Sequence, residues 1–297
     1  MIQIYISCTT SLYNIEYYHS GIYNIGKKEV TMKKLNKNNI TKEEISNDIS
    51  KKKSRKLKRN ILIGLISFIS IIIIGGFIWA SSSYKPQDIA KASIVSDENI
   101  SVSVEENITF TPKNLEPTKG FIFYPGAKVD PMAYAPLCRK IANQGYEVVI
   151  VKMPLNFAIF SPNKAQEVID KYDNIKTWVI GGHSLGGVMA SKFASENDSI
   201  KGVVLLASYP QGEELKNTDK EVVSIWGDKD GVLNFENLEE SKENLPSNSK
   251  FIELKGGNHG QFGDYGMQKG DNNSDISVQD QVNKSVQEII KLLKSLN

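Results

Sequence analysis

The chain has 297 residues, of which 40% are hydrophobic and 24% charged, and a net charge of +2 at pH 7. Those proportions are ordinary for a globular protein, and the length suits one large domain or two small ones. The charge is uneven: residues 1–60 hold 13 Lys/Arg against 5 Asp/Glu, whereas residues 81–297 hold 23 against 29. A mildly acidic folded part argues against nucleic acid as a partner. The two cysteines, Cys8 and Cys138, belong to no Cys or Cys/His cluster, so no metal site is expected. Cys138, set among apolar helix residues, reads as a small buried hydrophobe.

Residues 1–31 are polar and without a period. Lys28-Glu29-Val30, encodable as AAG-GAG-GTN, would place a ribosome-binding sequence just ahead of Met32, so the stretch reads either as untranslated, with the start at Met32, or as a short disordered cytoplasmic tail. Peptides upstream of Met32 in the expressed protein would refute the start at Met32. Residues 1–60 as a whole read as a basic cytoplasmic tail that ends in the block Lys51 to Arg59. Ile61 to Ala80 contains no charged residue. At a rise of ~1.5 Å per residue this stretch spans the ~30 Å hydrocarbon core of a bilayer. It exceeds the signal-peptide apolar region of about 7–15 residues, so an uncleaved single-pass anchor is expected. Trp79 and Tyr84 would sit at the far interface, with the basic block inside and the rest of the chain outside the cell. Residues 81–104 are polar and aperiodic and read as a linker, leaving 105–297 as the folded domain.

In that domain, Asn107 to Thr111 reads as an edge strand ended by Pro112. Phe121 to Tyr124 follows as a strong strand that runs into Pro125-Gly126-Ala127. Asp130-Pro131 is an N-cap followed by a first-turn proline. The helix it opens carries Tyr134, Leu137, Cys138 and Ile141 on one face. Glu147 to Val151 is a buried strand, and Ser161-Pro162 starts another helix. Strands follow at Thr177 to Ile180, Gly202 to Ala207, Glu221 to Trp226 and Lys250 to Leu254. Helices are expected after the glycine-rich turn at 181–187, at Phe235 to Asn244, and from Val278 to the end. Strands that alternate with helices, several of them apolar on both faces, predict a mainly parallel sheet flanked by helices.

The stretch Gly181-Gly182-His183-Ser184-Leu185-Gly186-Gly187 joins a strand to a helix. Within it, Gly182, Ser184 and Gly186 form Gly-x-Ser-x-Gly, the spacing of a strained turn that lifts a serine hydroxyl above the sheet. The Leu185 N–H at the helix N-terminus could then stabilise an oxyanion. A serine nucleophile needs a base and an orienting acid. Of the histidines, His19 precedes the anchor, and His183 should point away from the hydroxyl. His259, just after the last strand, is where the base of a Ser…Asp…His chain order belongs. The turn Gly227-Asp228-Lys229-Asp230-Gly231 offers two acids, Asp228 and Asp230.

These residues resemble the α/β-hydrolase family from about Thr109 onward. The likeness is greatest to small bacterial members with Tyr-Pro-Gly (Tyr124 to Gly126) after the third core strand and Gly-His-Ser-Leu-Gly-Gly (Gly182 to Gly187) at the turn. The resemblance implies Ser184 as nucleophile, His259 as base and Asp230 as acid. It also implies an oxyanion hole from the N–H groups of Leu185 and Ala127. Position agrees on the acid: Asp228, at the strand's end, should cap its own turn, and Asp230 lies further out over the edge. The stretch from Ala207 to Glu221 is too short for a large cap, which points to an open site and against long-chain lipid substrates. The expected activity is hydrolysis of a small carboxylic ester, thioester or amide through an acyl-enzyme, with no cofactor. A membrane-tethered binding or sensor module that has lost activity is the alternative, and a complete candidate triad counts against it. The loop from Gly263 to Asp275 reads either as the lining of the entrance or as plain surface.

Overall fold

The computed structural model describes residues 42–296. The expected start at Met32, His19 and Cys8 lie outside them. Helix α1 (Lys42–Ser81) is continuous, and its stretch Ser46–Trp79 reaches a mean hydropathy of 2.8 with none of that window buried. It is long and apolar enough to cross a membrane.

The rest of the described chain builds one eight-stranded sheet. Its strands are β1 (Ile100–Ser103), β2 (Ile108–Pro112), β3 (Lys119–Tyr124), β4 (Glu147–Ile150), β5 (Thr177–His183), β6 (Ile200–Leu206), β7 (Glu221–Gly227) and β8 (Lys250–Leu254). Their spatial order is β1-β2-β4-β3-β5-β6-β7-β8. β1–β2 and β2–β4 pair antiparallel, and every pair from β4–β3 to β7–β8 is parallel. Successive side chains of a strand point to opposite faces, and here both faces are covered. Phe121, Phe123, Val148, Ile150 and Val179 pack in one core layer with α3 (Ala135–Ala142) and the closing helix (Val278–Ser295). Ile122, Tyr124, Val149, Trp178 and Ile180 pack in the other with α4 (Ala165–Lys171) and α5 (Leu185–Ser195). This is why these strands read as continuous apolar runs. No helix or strand lies between β6 and β7, so no large cap is present there.

Two expectations fail at the start of the domain. The segment 81–104 is no linker: it carries α2 (Asp88–Ala92), with Ala90 fully buried, and all of β1. The strand at Asn107 to Thr111 is accordingly second from the edge, and β1 is the edge. β1 has four residues, of which only Ile100 is fully buried, so its apolar alternation is too short to stand out from polar neighbours. Pro112 belongs to β2, opposite Ile100 at the end of the register.

Candidate active site

Ser184 occupies the single step between β5 and α5, with φ 52° and ψ −126°. A left-handed φ in a residue with a Cβ costs about 1–3 kcal/mol and needs support from its surroundings. The Ser184 N–H donates to Leu206 O at 2.9 Å. Its carbonyl accepts from the Gly187 N–H at 2.9 Å and from Ser208 Oγ at 2.7 Å. The flanking glycines are required by close approach. A Cβ on Gly182 would stand 2.3 Å from the Gly186 carbonyl carbon, and one on Gly186 would stand 2.2 Å from Tyr124 O. The loop after β3 therefore rests directly on the N-terminus of α5. Leu185 opens that helix, so its N–H is among those with no partner within the helix. Ala127 is half-buried on the neighbouring loop.

His259 and Asp230 arrive from the loops after β8 and β7, and their side chains are 1% and 0% exposed. His259 Nδ1 lies 2.8 Å from Asp230 Oδ2. The other carboxyl oxygen accepts from the N–H groups of Val232 at 2.8 Å and Leu233 at 2.7 Å. A buried carboxylate needs that many partners to offset desolvation. A carboxylate only accepts, so the shared proton belongs to His259 Nδ1 and the lone pair to Nε2. Nε2 is buried and has no hydrogen-bond partner. The residues His259 and Ser184 both line an open cleft of about 250 Å³, together with Leu185, Ser208, Tyr209 and Leu233. Ala127 stands outside that lining.

Asp228 does not cap its own turn. Its Oδ1 accepts the Gly256 N–H at 2.6 Å, because β7 and β8 run parallel with Gly227 opposite Leu254. The first residues beyond the two strands are thus neighbours, and Asp228 ties them together. Asp230 instead caps the turn that follows, at the N–H groups of Val232 and Leu233. The loop from Gly263 to Asp275 contributes no residue to the cleft lining. Its Asp271 braces the loops that carry Asp230 and His259, accepting from the N–H groups of Gly231 at 3.0 Å, His259 at 3.2 Å and Gly260 at 2.8 Å.

His183 points away from Ser184, into the core. Its Nε2 lies 3.0 Å from His259 O, and its Nδ1 lies 2.8 Å from the Tyr134 hydroxyl, which accepts the Gly126 N–H at 3.1 Å. A carbonyl can only accept, so Nε2 carries the proton and Nδ1 accepts from Tyr134. Burial, and secondarily the nearby His259, hold the His183 pKa well below its ordinary value, which keeps the ring neutral. One chain of donors thus joins the loop after β3 to the backbone of His259. Tyr134→Phe would leave the Gly126 N–H and His183 Nδ1 buried without partners. A loss of about 1–3 kcal/mol is expected, measurable by urea unfolding; an unchanged midpoint would contradict this role. Sequence reasoning placed Tyr134 only as an apolar helix residue, and Asp271 carried no local signal at all.

The alpha/beta hydrolase family model matches residues 120–283. No curated protein matches the chain in sequence. Among solved structures, an esterase from Pyrobaculum calidifontis is 16% identical with a TM-score of 0.51, covering 70% of this chain and 88% of its own. A thermophilic esterase from the Planctomycetes species Thermogutta terrifontis, with butyrate bound, is 11% identical with a TM-score of 0.50, covering 67% of this chain and 95% of its own. At such identities these likenesses speak for the fold. The family match spans more than half of the sequence, from β3 through the turn at Ser184 to His259, and the chain belongs to the alpha/beta hydrolase family.

Proposed function

We propose that the protein is a serine hydrolase of small carboxylic esters, thioesters or amides, held on the outer face of the cell membrane by α1. The observation that carries this reading is His259, which lines one cleft with Ser184: its Nδ1 is held by Asp230, and its Nε2 is buried with no hydrogen-bond partner. In the proposed reaction Nε2 takes the Ser184 hydroxyl proton as Oγ attacks the carbonyl carbon. Asp230 holds the tautomer and stabilises the imidazolium. The developing oxyanion is received by the N–H of Leu185, with Ala127 as the second proposed donor. His259 then gives its proton to the leaving group, and water, activated by the same nitrogen, releases the acid from the acyl-enzyme.

A cleft of about 250 Å³ without a cap offers little apolar surface beyond a short acyl group. Each buried methylene contributes ~0.8 kcal/mol only where a pocket exists to receive it. Across 4-nitrophenyl esters of graded acyl length, kcat/KM is expected to be highest for short acyl groups. A steady rise through long chains would contradict the open-site reading, and no hydrolysis of any ester, thioester or amide would overturn the function.

The cationic block at residues 51–59 supports an orientation with the N-terminus inside. External protease on intact cells is expected to remove the hydrolase domain. Protection until lysis would refute that orientation.

A further inference from the structure

We infer that the edge of the domain bearing the cleft lies on the membrane surface, and that the substrate is an amphiphilic ester taken from the lipid interface. The inference rests on the anchored-hydrolase reading above. It starts from the chain between the apolar helix and the domain. α1 ends at Ser81, and by Tyr84 the chain is already stitched into the domain. The Tyr84 N–H donates to Lys128 O at 2.7 Å, the Asp130 N–H donates to Tyr84 O at 3.0 Å, and Tyr84 bridges Val129. Only Ser82 and Ser83 lie between. Three Cα steps reach about 11 Å at most, so whatever direction α1 takes, the membrane exit stays beside the loop of Ala127 and Lys128. The attachment continues onward: the Gln87 N–H donates to Asp264 O at 2.8 Å, and the Ala90 N–H donates to Asp264 Oδ2 at 2.8 Å.

The Ala127 loop follows the carboxyl end of β3. Ser184, Asp230 and His259 follow the carboxyl ends of β5, β7 and β8. The exit and the cleft therefore share one edge of the sheet. That edge also presents large apolar side chains to the outside: Ile159 and Phe160 after β4, 53% and 59% exposed, Val232 and Phe235 after β7, and Met267 after β8. The segment bearing Ile159 and Phe160 is fixed to the same loop, since the Lys128 N–H donates to Asn156 O at 2.9 Å. Trp79, near the end of α1, has its ring 6.3 Å from that of Phe157, and the Lys128 ammonium lies 4.1 Å from the Trp79 ring centroid. Aromatic and aliphatic side chains grouped around a helix exit, with a cation among them, fit the boundary of a bilayer. The occupant of this surface is the bilayer that α1 crosses. The small cleft takes a short acyl group, and the apolar leaving group stays in the interface.

The test uses the full chain in phosphatidylcholine/phosphatidylglycerol vesicles carrying a lipid-borne nitroxide quencher. In a Cys8→Ser background, Phe160→Cys and Leu115→Cys each receive an environment-sensitive dye. Leu115, 52% exposed, lies between β2 and β3 at the opposite edge. Quenching at 160 is expected to exceed that at 115 at least threefold; equal quenching would overturn the placement. A 20-residue Gly/Ser insert between Ser82 and Ser83 is expected to leave hydrolysis of a soluble 4-nitrophenyl ester unchanged. Hydrolysis of a short-chain ester of a long-chain alcohol in the vesicles should fall at least fivefold, and an undiminished rate would overturn the substrate class. Quenching at 160 without hydrolysis of either ester would uphold the placement and sink the hydrolase reading. A chain that fails to float with vesicles would remove both anchor and inference.

Discussion

Ser184→Ala is expected to lower kcat for ester hydrolysis by about a million-fold, the scale seen when a triad nucleophile is removed. The fold should survive. The strained turn is held by backbone groups of Ser184, through Leu206, Gly187 and Ser208, and its side chain makes no capping hydrogen bond. Alanine meets the same positive φ as serine, so stability should stay within about 0.5 kcal/mol. Turnover and thermal midpoint measured side by side check both parts. Near-normal turnover would reduce Ser184 to a turn residue, and an unfolded variant would show that the hydroxyl supports the turn.

Asp230→Asn is expected to reduce kcat by about ten-thousand-fold, because an amide facing His259 Nδ1 favours the wrong tautomer. Asparagine keeps an oxygen for the N–H groups of Val232 and Leu233, so the local turn retains its cap. Asp228→Asn is the comparison. It retains an acceptor for the Gly256 N–H, lies away from His259, and should leave turnover little altered. Steady-state kinetics on both variants decide between the two acids. The reverse pattern would move the assignment to Asp228.

The legible features share a physical origin. Gly182 and Gly186 announce the turn because close backbone approach excludes any side chain there, a constraint written in spacing alone. The parallel sheet is legible because strands covered on both faces must be apolar throughout. The residues that escaped sequence reading act across long separations. Tyr134 meets His183 over 49 positions, and Asp271 meets Gly231 over 40; neither contact leaves a local pattern. β1 and α2 were hidden for the opposite reason: each is too short to show a period, and packing against the rest of the domain determines them. The partner of Asp228 is not legible in the sequence, because it sits on the adjacent parallel strand's loop and the pairing of β7 with β8 is a fact of topology.

The most direct test of the central claim is covalent. The full chain is treated with a fluorophosphonate probe, digested, and mapped by mass spectrometry. A single phosphonyl adduct on Ser184, lost in His259→Ala, is the expected result; no adduct, or an adduct on another residue with Ser184 unmodified, would contradict the account.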